Sequence, residues 1–442
     1  MYNAELLLKV VALVVFFHAL VLYGAEKTAP ASISDPLLER ARNGEAQAQL
    51  EAGFAFYRSN NPVRAAYWFQ AAAKQGIAEA QYNAGRCYLA GYGVEKNLHQ
   101  ALDFFKLASE HDLPPAQLET AKLLLNGIAA VPESSPPRKA IEPDEKTAVA
   151  LLEKAAAKRY TPAMTVYAEY LIKKYRQQKP QKIIALLEMA ITGGDRNAPV
   201  MLADFLLNRT DQYRDEIRAR RLLENSAADN PEAMAKLAFA VEHGFGAPPE
   251  PEKAFKLYSE ALKKVFIPLA AARLANYYYS GSSGVKQDIQ HALKLYTQAA
   301  TAGIPEAITQ LAVCSKSGIG MKADKANAFE LFFQAAKMDH APAQYELGVC
   351  FANGEGTVAD QKGAFYWFNQ AAMRYEPRAL LESGKRYLYG NGTEIDAEKA
   401  VAYLEQAYAN GMNEAAVLLE EARRKSRNSV NIKPQELPKF GL

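Results

Sequence analysis

A 36-residue segment of this chain occurs twice in succession with one pattern of small and aromatic residues. The first copy, His340 to Tyr375, reads HAPAQYELGVCFANGEGTVADQKGAFYWFNQAAMRY, and the second runs from Glu376 to Gly411. Self-similarity at a fixed period of roughly 20–50 residues is typical of stacked repeat proteins. The matched positions are Ala343 with Ala379, Gly348 with Gly384, Gly354 with Gly390, Gly356 with Gly392, Ala364 with Ala400, Trp367 with Tyr403, and Ala371 with Ala407.

Each copy has the pattern of two helices joined by a tight turn. Small and apolar residues recur at steps of three and four over 341–353, which places them on one helical face. The Gly-Glu-Gly sequence at 354–356 then ends the helix, because glycine adopts the positive φ values of a tight reversal. Asp360 is suited to cap a second amphipathic helix over about 361–374. One hairpin cannot bury both apolar faces, so the pattern predicts an all-α solenoid of stacked hairpins.

The composition is that of a soluble protein, with 49% apolar and 23% charged residues. A chain of 442 residues would ordinarily form about three globular domains, but a repeat array grows in one dimension without a single core. The net charge of +3 is too small to indicate a nucleic-acid partner, and we expect none. The short basic run at 423–427 is interpreted as a solvated helix end.

The three cysteines, Cys87, Cys314 and Cys350, occupy the same place in their repeats. An odd and sparse set of cysteines does not form a disulfide framework. Equivalent positions on adjacent first helices should be separated by about 8–10 Å, whereas a disulfide needs Cα atoms within roughly 7 Å. We therefore expect free thiols in the core, and a strained Cys314–Cys350 bridge in an exported protein is the alternative.

The first 25 residues differ from everything that follows. Lys9 precedes an apolar run from Val10 to Tyr23 that only His18 interrupts. The run is shorter than the about 20 residues of a spanning helix, and its length and flanks are those of a signal peptide. Tyr23 stands where cleavage prefers a small residue, so an uncleaved anchor formed by residues 6–23 is the alternative. We expect an exported protein, periplasmic or secreted, which the anchor would attach to the inner membrane.

The rest of the chain divides by its repeat pattern. We predict a linker over 26–34, a capping helix over 35–44, repeats over 45–411, a second capping helix over 412–425, and a disordered tail over 426–442. An alanine near the start of each first helix anchors its repeat. The anchors are Ala48, Ala80, Ala116, Ala163, Ala198, Ala233, Ala270, Ala307, Ala343 and Ala379, and Ala415 opens a truncated eleventh unit.

Two parts of the array depart from the common pattern. The third repeat is longer, and its proline-rich residues 129–143 predict an exposed loop. Between Ala163 and Asn230 the turns lack their glycine pair, although the spacing of leucine, alanine and isoleucine persists. We therefore expect helices there too.

The pattern A-x-x-x-L-G-x-x-Y, then G-x-G-V/T, K-A, a large aromatic residue and A-A resembles the Sel1-like repeat, a relative of the tetratricopeptide repeat. Residues 80–94, AQYNAGRCYLAGYGV, match closely, and Lys253 and Lys399 begin the K-A motif. The resemblance covers about residues 41–421. It implies a right-handed α/α superhelical solenoid of about ten repeats that binds other proteins. Exported bacterial relatives work in the cell envelope, which implies a non-catalytic scaffold or adaptor there.

The resemblance also implies where a protein or peptide partner binds. First helices line the groove of tetratricopeptide repeats, which places groove positions two, six, nine and ten residues after each anchor alanine. Aromatic residues and arginine are enriched at binding hot spots, although Tyr82 and Tyr345 could instead only pack between repeats. The candidate residues are Tyr82, Arg86, Lys122, Glu169, Asp204, Phe239, Asn276, Tyr279, Tyr345, Lys385 and Tyr389.

We expect no catalytic residue, metal site or cofactor. The six histidines are scattered, and no zinc, phosphate-binding or nucleophile-elbow motif occurs. Some cysteine-rich relatives are described as β-lactamases, but the S-x-x-K at Ser283 lacks the companion S-D-N and K-T-G motifs. The alternative functions are an envelope hydrolase, β-lactamase-like or penicillin-interacting, and a regulatory adaptor anchored by residues 6–23.

Overall fold

Helices make up nearly all of the computed structural model, which describes residues 35–131, 138–175 and 178–432. Within these ranges the chain forms 22 α-helices and no β-strand, with two isolated antiparallel bridges. Packing divides the chain into two compact units that meet in sequence between Asp215 and Glu216. The predicted all-α helical repeat solenoid is confirmed, and its handedness stays a prediction.

The first unit is a succession of helical hairpins in its described part. After a single capping helix, first and second helices alternate, and each second helix packs on the first helix of its repeat and on the next one along the chain. The helices are α1 (Asp35–Arg42), α2 (Ala46–Arg58), α3 (Pro62–Lys74), α4 (Ala78–Ala90), α5 (Leu98–Glu110), α6 (Pro114–Asn126), α7 (Glu145–Ala157), α8 (Thr161–Tyr175), α9 (Pro180–Thr192) and α10 (Ala198–Leu207).

The second unit continues the alternation from a second helix. A final first helix without a second helix closes it within the described residues. The helices are α11 (Glu216–Ser226), α12 (Pro231–His243), α13 (Pro251–Lys264), α14 (Pro268–Ser280), α15 (Ile289–Thr301), α16 (Pro305–Ser317), α17 (Lys325–Lys337), α18 (Ala341–Asn353), α19 (Gln361–Ala372), α20 (Pro377–Tyr389), α21 (Ala397–Ala409) and α22 (Ala415–Ile432).

The anchor alanines of the predicted repeats are core residues. All eleven of them, from Ala48 to Ala415, have no exposed surface. A side chain of one carbon lets neighbouring helix axes approach to the short end of the roughly 8–10 Å range. Their burial confirms the repeat register, including the irregular units between Ala163 and Asn230, where α8 to α11 form as predicted.

Second helices insert large side chains against a glycine or alanine position in the first helix of the same repeat. A Cβ atom on Gly348 would lie 2.8 Å from Cδ1 of Phe368, so an added side chain would displace the ring. Trp367, the aromatic residue matched between the two copies, is only half-buried, and the core position is one residue later. The buried residues at this position are Phe69, Phe105, Leu152, Leu187, Leu223, Tyr258, Tyr296, Phe332, Phe368 and Leu404.

The turn inside each hairpin rests on the preceding second helix. Gly392 has a φ of 80°, and a Cβ atom there would lie 1.9 Å from the carbonyl oxygen of Gln361. Only glycine combines this left-handed conformation with so close an approach to a backbone atom. The glycine pair of the repeat therefore sets the contact between successive hairpins, as well as the reversal of the chain.

The ends of the array differ in part from the prediction. Residues 1–25, predicted as a signal peptide or anchor, and residues 26–34, predicted as a linker, lie outside the described residues. The last helix does not end at 425 as predicted but continues to Ile432. Polar residues of moderate helix propensity extend it, and Pro434 is the first proline after Ala415. Residues 433–442 lie outside the described part.

The proline-rich insertion is not a free loop over the whole of 129–143. Ile128 and Ile141 exchange two backbone hydrogen bonds of 2.8 Å, and Val131 pairs with Arg138 in the same antiparallel way. His99 of α5 donates from Nε2 to the carbonyl oxygen of Lys139 at 2.8 Å. The base of the insertion is thus a short hairpin held against the second helix of the preceding repeat.

All three cysteines are buried and free, which confirms the expected free thiols. Burial raises the pKa of the Cys87 thiol to about 12 and that of Cys350 to about 11. The thiolate forms are therefore scarce near neutral pH, and these side chains act as small core residues.

We predict that Phe368→Ala lowers the free energy of unfolding by about 3–5 kcal/mol, because it removes a buried ring and leaves a cavity beside Gly348. Tyr366→Ala on the same helix is the control, since Tyr366 is 54% exposed. It should cost less than about 1 kcal/mol. Urea denaturation followed by circular dichroism measures both changes, and equal losses would contradict the assigned core position.

Candidate interaction surface

The predicted binding residues lie on the first helices, α4 to α20. Most of them stand six residues after an anchor alanine, where the helix turns them away from the buried stripe. We call this surface the first-helix face. It comprises the side chains one residue before each anchor alanine and two, three, six, nine and ten residues after it. The two compact units carry separate parts of this face.

In the first unit, Tyr82 and Arg86 form one aromatic and cationic cluster. The Arg86 guanidinium lies 5.6 Å from the centroid of the Tyr82 ring, which packs at 5.8 Å from Phe105 of its own repeat. Burial raises the pKa of Tyr82 to about 12, although the positive charge of Arg86 opposes the change. Tyr82 therefore packs against the second helix of its own repeat.

The other predicted residues of the first unit stand on three different first helices. Lys122 pairs with Glu119 on the same helix at 2.9 Å. Glu169 is exposed on α8, and Asp204 is half-buried on α10. These three side chains follow the first-helix face from repeat to repeat.

In the second unit, Phe239 and Asn276 meet through residues that the sequence analysis did not select. The Arg273 guanidinium lies 5.1 Å from the centroid of Phe239 and pairs with Glu306 of the next repeat at 3.3 Å. Asn276 donates to Glu306 at 3.0 Å and accepts from the hydroxyl of Tyr296. Three successive first helices are therefore joined by one polar and aromatic cluster.

Tyr279 lies at the edge of this cluster. Its ring centroid is 6.4 Å from that of Tyr296, which is fully buried. Burial raises the pKa of Tyr279 above its ordinary value. Its hydroxyl stays protonated at neutral pH and can serve a ligand as a hydrogen-bond donor.

Glu346 occupies the centre of an ion-pair network across three repeats. Its carboxylate lies 3.0 Å from Arg378 of the following repeat and 3.7 Å from Lys316 of the preceding one. Lys316 also pairs with Glu355 at 2.8 Å. The Arg378 guanidinium covers the Tyr345 ring at 4.1 Å from its centroid. Tyr345 thus does contact the next repeat, in agreement with the packing interpretation.

The protonation states of Lys316 and Glu355 follow from the charged groups around them. A hydrogen bond from Lys316 lowers the pKa of Glu355. Burial alone would lower the pKa of Lys316, but its hydrogen bond to Glu355 and the charge of Glu346 raise it overall. The pair of Lys316 and Glu355 is consequently charged at neutral pH.

The last two predicted residues pair with Glu414, which directly precedes the terminal helix of the array, and with Glu421 within that helix. Lys385 lies 3.0 Å from Glu382 of its own helix and 2.9 Å from Glu414. The Tyr389 hydroxyl donates to Glu421 of α22 at 2.8 Å. These contacts continue the row of polar pairs to the end of the described chain.

The sequence analysis did not select four residues of these networks, because each stands three residues after or one residue before an anchor alanine. They are Arg273, Glu306, Glu346 and Arg378. A sequence signal for them does exist. The two members of each pair are separated in sequence by slightly less than one repeat, because the second member lies about one helical turn earlier in its own repeat. Glu346 and Arg378, for example, are 32 residues apart. The pairing positions could therefore have been found once the repeat register was known.

Several ionisable side chains on and beneath this face are held in ion pairs or kept protonated. The carboxylates of Glu306 and Glu346 are paired with cations, and burial holds the thiols of the cysteines protonated. Ser283 lies in the turn between α14 and α15 with a φ of 55°. Across the ranges that the structure describes, no group of three or more His, Cys, Asp or Glu side chains could hold a metal ion. Nor is any helix in those ranges long and apolar enough to cross a membrane.

One half-buried histidine joins two repeats beside this face. Thr309 donates its hydroxyl to the carbonyl oxygen of Pro305 at 2.7 Å and therefore accepts from Nδ1 of His340 at 2.8 Å. Burial lowers the pKa of His340, and the nearby charge of Glu306 opposes this change only in part. The neutral imidazole is thus the form that the fold favours.

The family model of the Sel1 repeat matches nine stretches of the chain, which together cover more than half of it. It does not match residues 161–199, where the turns lack their glycine pair. The matched residues are 46–77, 78–113, 114–160, 200–230, 231–264, 268–304, 305–340, 341–375 and 377–412.

Two curated proteins share shorter stretches with the chain. DAP3-binding cell death enhancer 1 of Rattus norvegicus is 31% identical over 113 residues, which are 23% of this chain and 22% of that protein. An uncharacterized protein of Neisseria meningitidis serogroup B is 26% identical over 222 residues, which are 50% of this chain and 44% of that protein. The chain spans less than half the length of either relative.

Solved structures share the architecture. A protective antigen present in uropathogenic Escherichia coli strains is 23% identical, with a TM-score of 0.57 over 93% of this chain and all of that chain. A Sel1 repeat protein from Oxalobacter formigenes is 22% identical, with a TM-score of 0.40 over 91% of this chain and 99% of that one. At 23% identity the likeness to the Escherichia coli antigen concerns the fold alone.

We predict that Glu346→Gln lowers the free energy of unfolding by about 1 kcal/mol, because Lys316 and Arg378 lose the carboxylate they share. Glu330→Gln is the control, since Glu330 is exposed on α17 without an ion pair in the described residues. It should change the free energy by less than about 0.5 kcal/mol. Urea denaturation measures both variants, and an unchanged midpoint in Glu346→Gln would show that the network does not stabilise the array.

Stability should also depend on pH through His340. Its folded-state pKa is below the unfolded value of about 6.5, so the unfolded chain binds more protons between the two values. The stabilisation is complete above about pH 6.5 and is lost as the pH falls through the folded-state pKa. His340→Asn should flatten the loss measured by denaturation between about pH 7.5 and 5, whereas His111→Asn, at an exposed histidine, should not. Equal slopes in all three proteins would contradict this.

Proposed function

The chain belongs to the Sel1 repeat family, and from this premise we propose that it is a non-catalytic scaffold whose first-helix face binds segments of partner proteins. Sel1 repeat proteins generally mediate protein–protein interactions. The observation that supports this most directly is the network of Glu346, Lys316 and Arg378 beside Tyr345. It holds charged and aromatic groups of three repeats in fixed positions before any partner arrives.

Preorganised side chains of this kind favour binding. A ligand meets groups whose rotamers are already restricted, so less conformational entropy is lost on association. The face carries both charge signs and several tyrosines, which can exchange their present contacts for contacts with a peptide of mixed polarity. We therefore expect the partner to be a protein segment with both charged and aromatic side chains.

We also propose that the protein is exported and acts in the bacterial cell envelope, in the periplasm or outside the cell. The apolar run from Val10 to Tyr23 after Lys9 supports export. Retention of residues 6–23 as an anchor would place the repeats beside the inner membrane as an adaptor. Fractionation of cells that express the full chain distinguishes these two forms, and a cytoplasmic product would contradict both.

The binding role of the first-helix face is tested by capturing partner proteins from native cells. The full chain and the variant Arg86→Ala/Tyr389→Ala are compared. We predict that the variant loses partners that the wild type enriches, by roughly tenfold, because it removes a cationic and an aromatic contact. Quantitative mass spectrometry measures the loss.

A matched control removes one cation and one aromatic ring from second helices instead. Lys106→Ala/Tyr366→Ala does this at two exposed positions, one in each unit. It should retain the partners. If the groove variant enriches the same proteins to the same extent as the wild type and this control, the first-helix face is not the binding surface.

A further inference from the structure

Three cations occupy equivalent positions on three successive second helices. They are Arg221 on α11, Lys256 on α13 and Lys294 on α15, and we call them the basic row. Each stands two residues after a fully buried alanine, and two residues turn an α-helix by about 200°. The three side chains are therefore exposed on the outer side of the second helices, away from the core and from the first-helix face.

The basic row is confined to these three helices. No other second helix carries a cation at the equivalent position within the described residues. The residues there are Tyr67, Asp103, Ala150, Ala185, Glu330, Tyr366 and Ala402. The row is thus not a general property of the repeat but a feature of one part of the second unit.

Contacts between the helices keep the row in register. The Lys264 ammonium at the end of α13 donates to the carbonyl oxygen of Ala228, which follows α11, at 2.7 Å. Aromatic contacts then join α13 to α15 beneath the row. The ring centroid of Phe255 lies 5.7 Å from that of Tyr278, and the Tyr278 centroid lies 4.4 Å from that of His291. The three cations are consequently presented on a packed surface and not on loops.

Within the described residues, no acidic side chain of the protein forms an ion pair with a cation of the basic row. Arg221, Lys256 and Lys294 make no hydrogen bond or ion pair within the part of the chain that the structure describes. Two further basic side chains, Lys253 and His291, stand three residues before Lys256 and Lys294 and share their side of the helix. Lys253 is paired with Glu250 at 3.4 Å, but an anionic ligand would meet the three cations of the basic row without first breaking a salt bridge.

Acidic neighbours limit the width of this surface. Glu252 and Glu260 lie one turn before and one turn after Lys256, and both are exposed. A membrane or a long polyanion would cover these carboxylates and be repelled by them, whereas a narrow ligand can follow the row between them. We propose that the basic row is a second docking site, which binds an acidic segment of a partner protein across α11, α13 and α15.

The probe is a fluorescein-labelled hexaglutamate peptide, with neutral hexaglutamine as its counterpart, and binding to the full chain is followed by fluorescence polarisation. Wild-type protein should bind hexaglutamate selectively, and more weakly at about 300 mM than at about 50 mM salt. Arg221→Glu/Lys256→Glu/Lys294→Glu should lose roughly tenfold or more in affinity. Circular dichroism melting checks that the variant is folded.

The control variant, Lys106→Glu/Lys322→Glu/Lys362→Glu, makes the same change of net charge at exposed lysines elsewhere, and should stay within about twofold of wild type. The variant Arg86→Ala/Tyr389→Ala should still bind hexaglutamate. The two proposed binding sites are therefore tested independently. The proposal is overturned if wild type does not bind hexaglutamate, or if both triple variants lose equally. Vesicles that contain phosphatidylserine serve as a second probe. The proposal is also overturned if the triple substitution in the basic row weakens binding to these vesicles but leaves binding to hexaglutamate unchanged.

Discussion

The packing of one large side chain against a glycine or alanine of the facing helix is the contact on which this fold depends. Phe368 against Gly348 shows why: a single methyl group on the glycine would lie 2.8 Å from the ring. The hairpin closes only because one helix offers a small residue where the other inserts a large one. Since the same exchange recurs along the chain, the same repeat positions are core positions in successive hairpins, and the same positions face outward.

This regularity turns repeated sequence positions into rows on the surface. On the first helices, residues one before and three after the anchor alanine approach each other across the repeat boundary, and Glu346 joins Lys316 and Arg378 in this way. On the second helices, the position two residues after the buried alanine forms a row of its own. A solenoid therefore carries two independent linear surfaces, each with a chemistry that can vary from repeat to repeat.

The polar pairs on the first-helix face contribute modestly to stability and more to geometry. Their members are partly exposed, and pairs of this kind are each worth about 0.2–1 kcal/mol. What they provide is a set of side chains held in place before a partner binds. The cost of ordering these groups is then met during folding and not during recognition, which suits a scaffold that works by contact.

Much of the architecture followed from the sequence because it depends on local pattern. Alanine spacing predicted the helices and the register of their buried faces, and the glycine pairs predicted the turns. Tertiary structure alone decided which residues meet: that Phe368 and not Trp367 fills the core, and that Glu346 lies between cations of two other repeats. The physical reason is that helix periodicity acts within a few residues, whereas these contacts depend on the rotation of each helix and the spacing between hairpins.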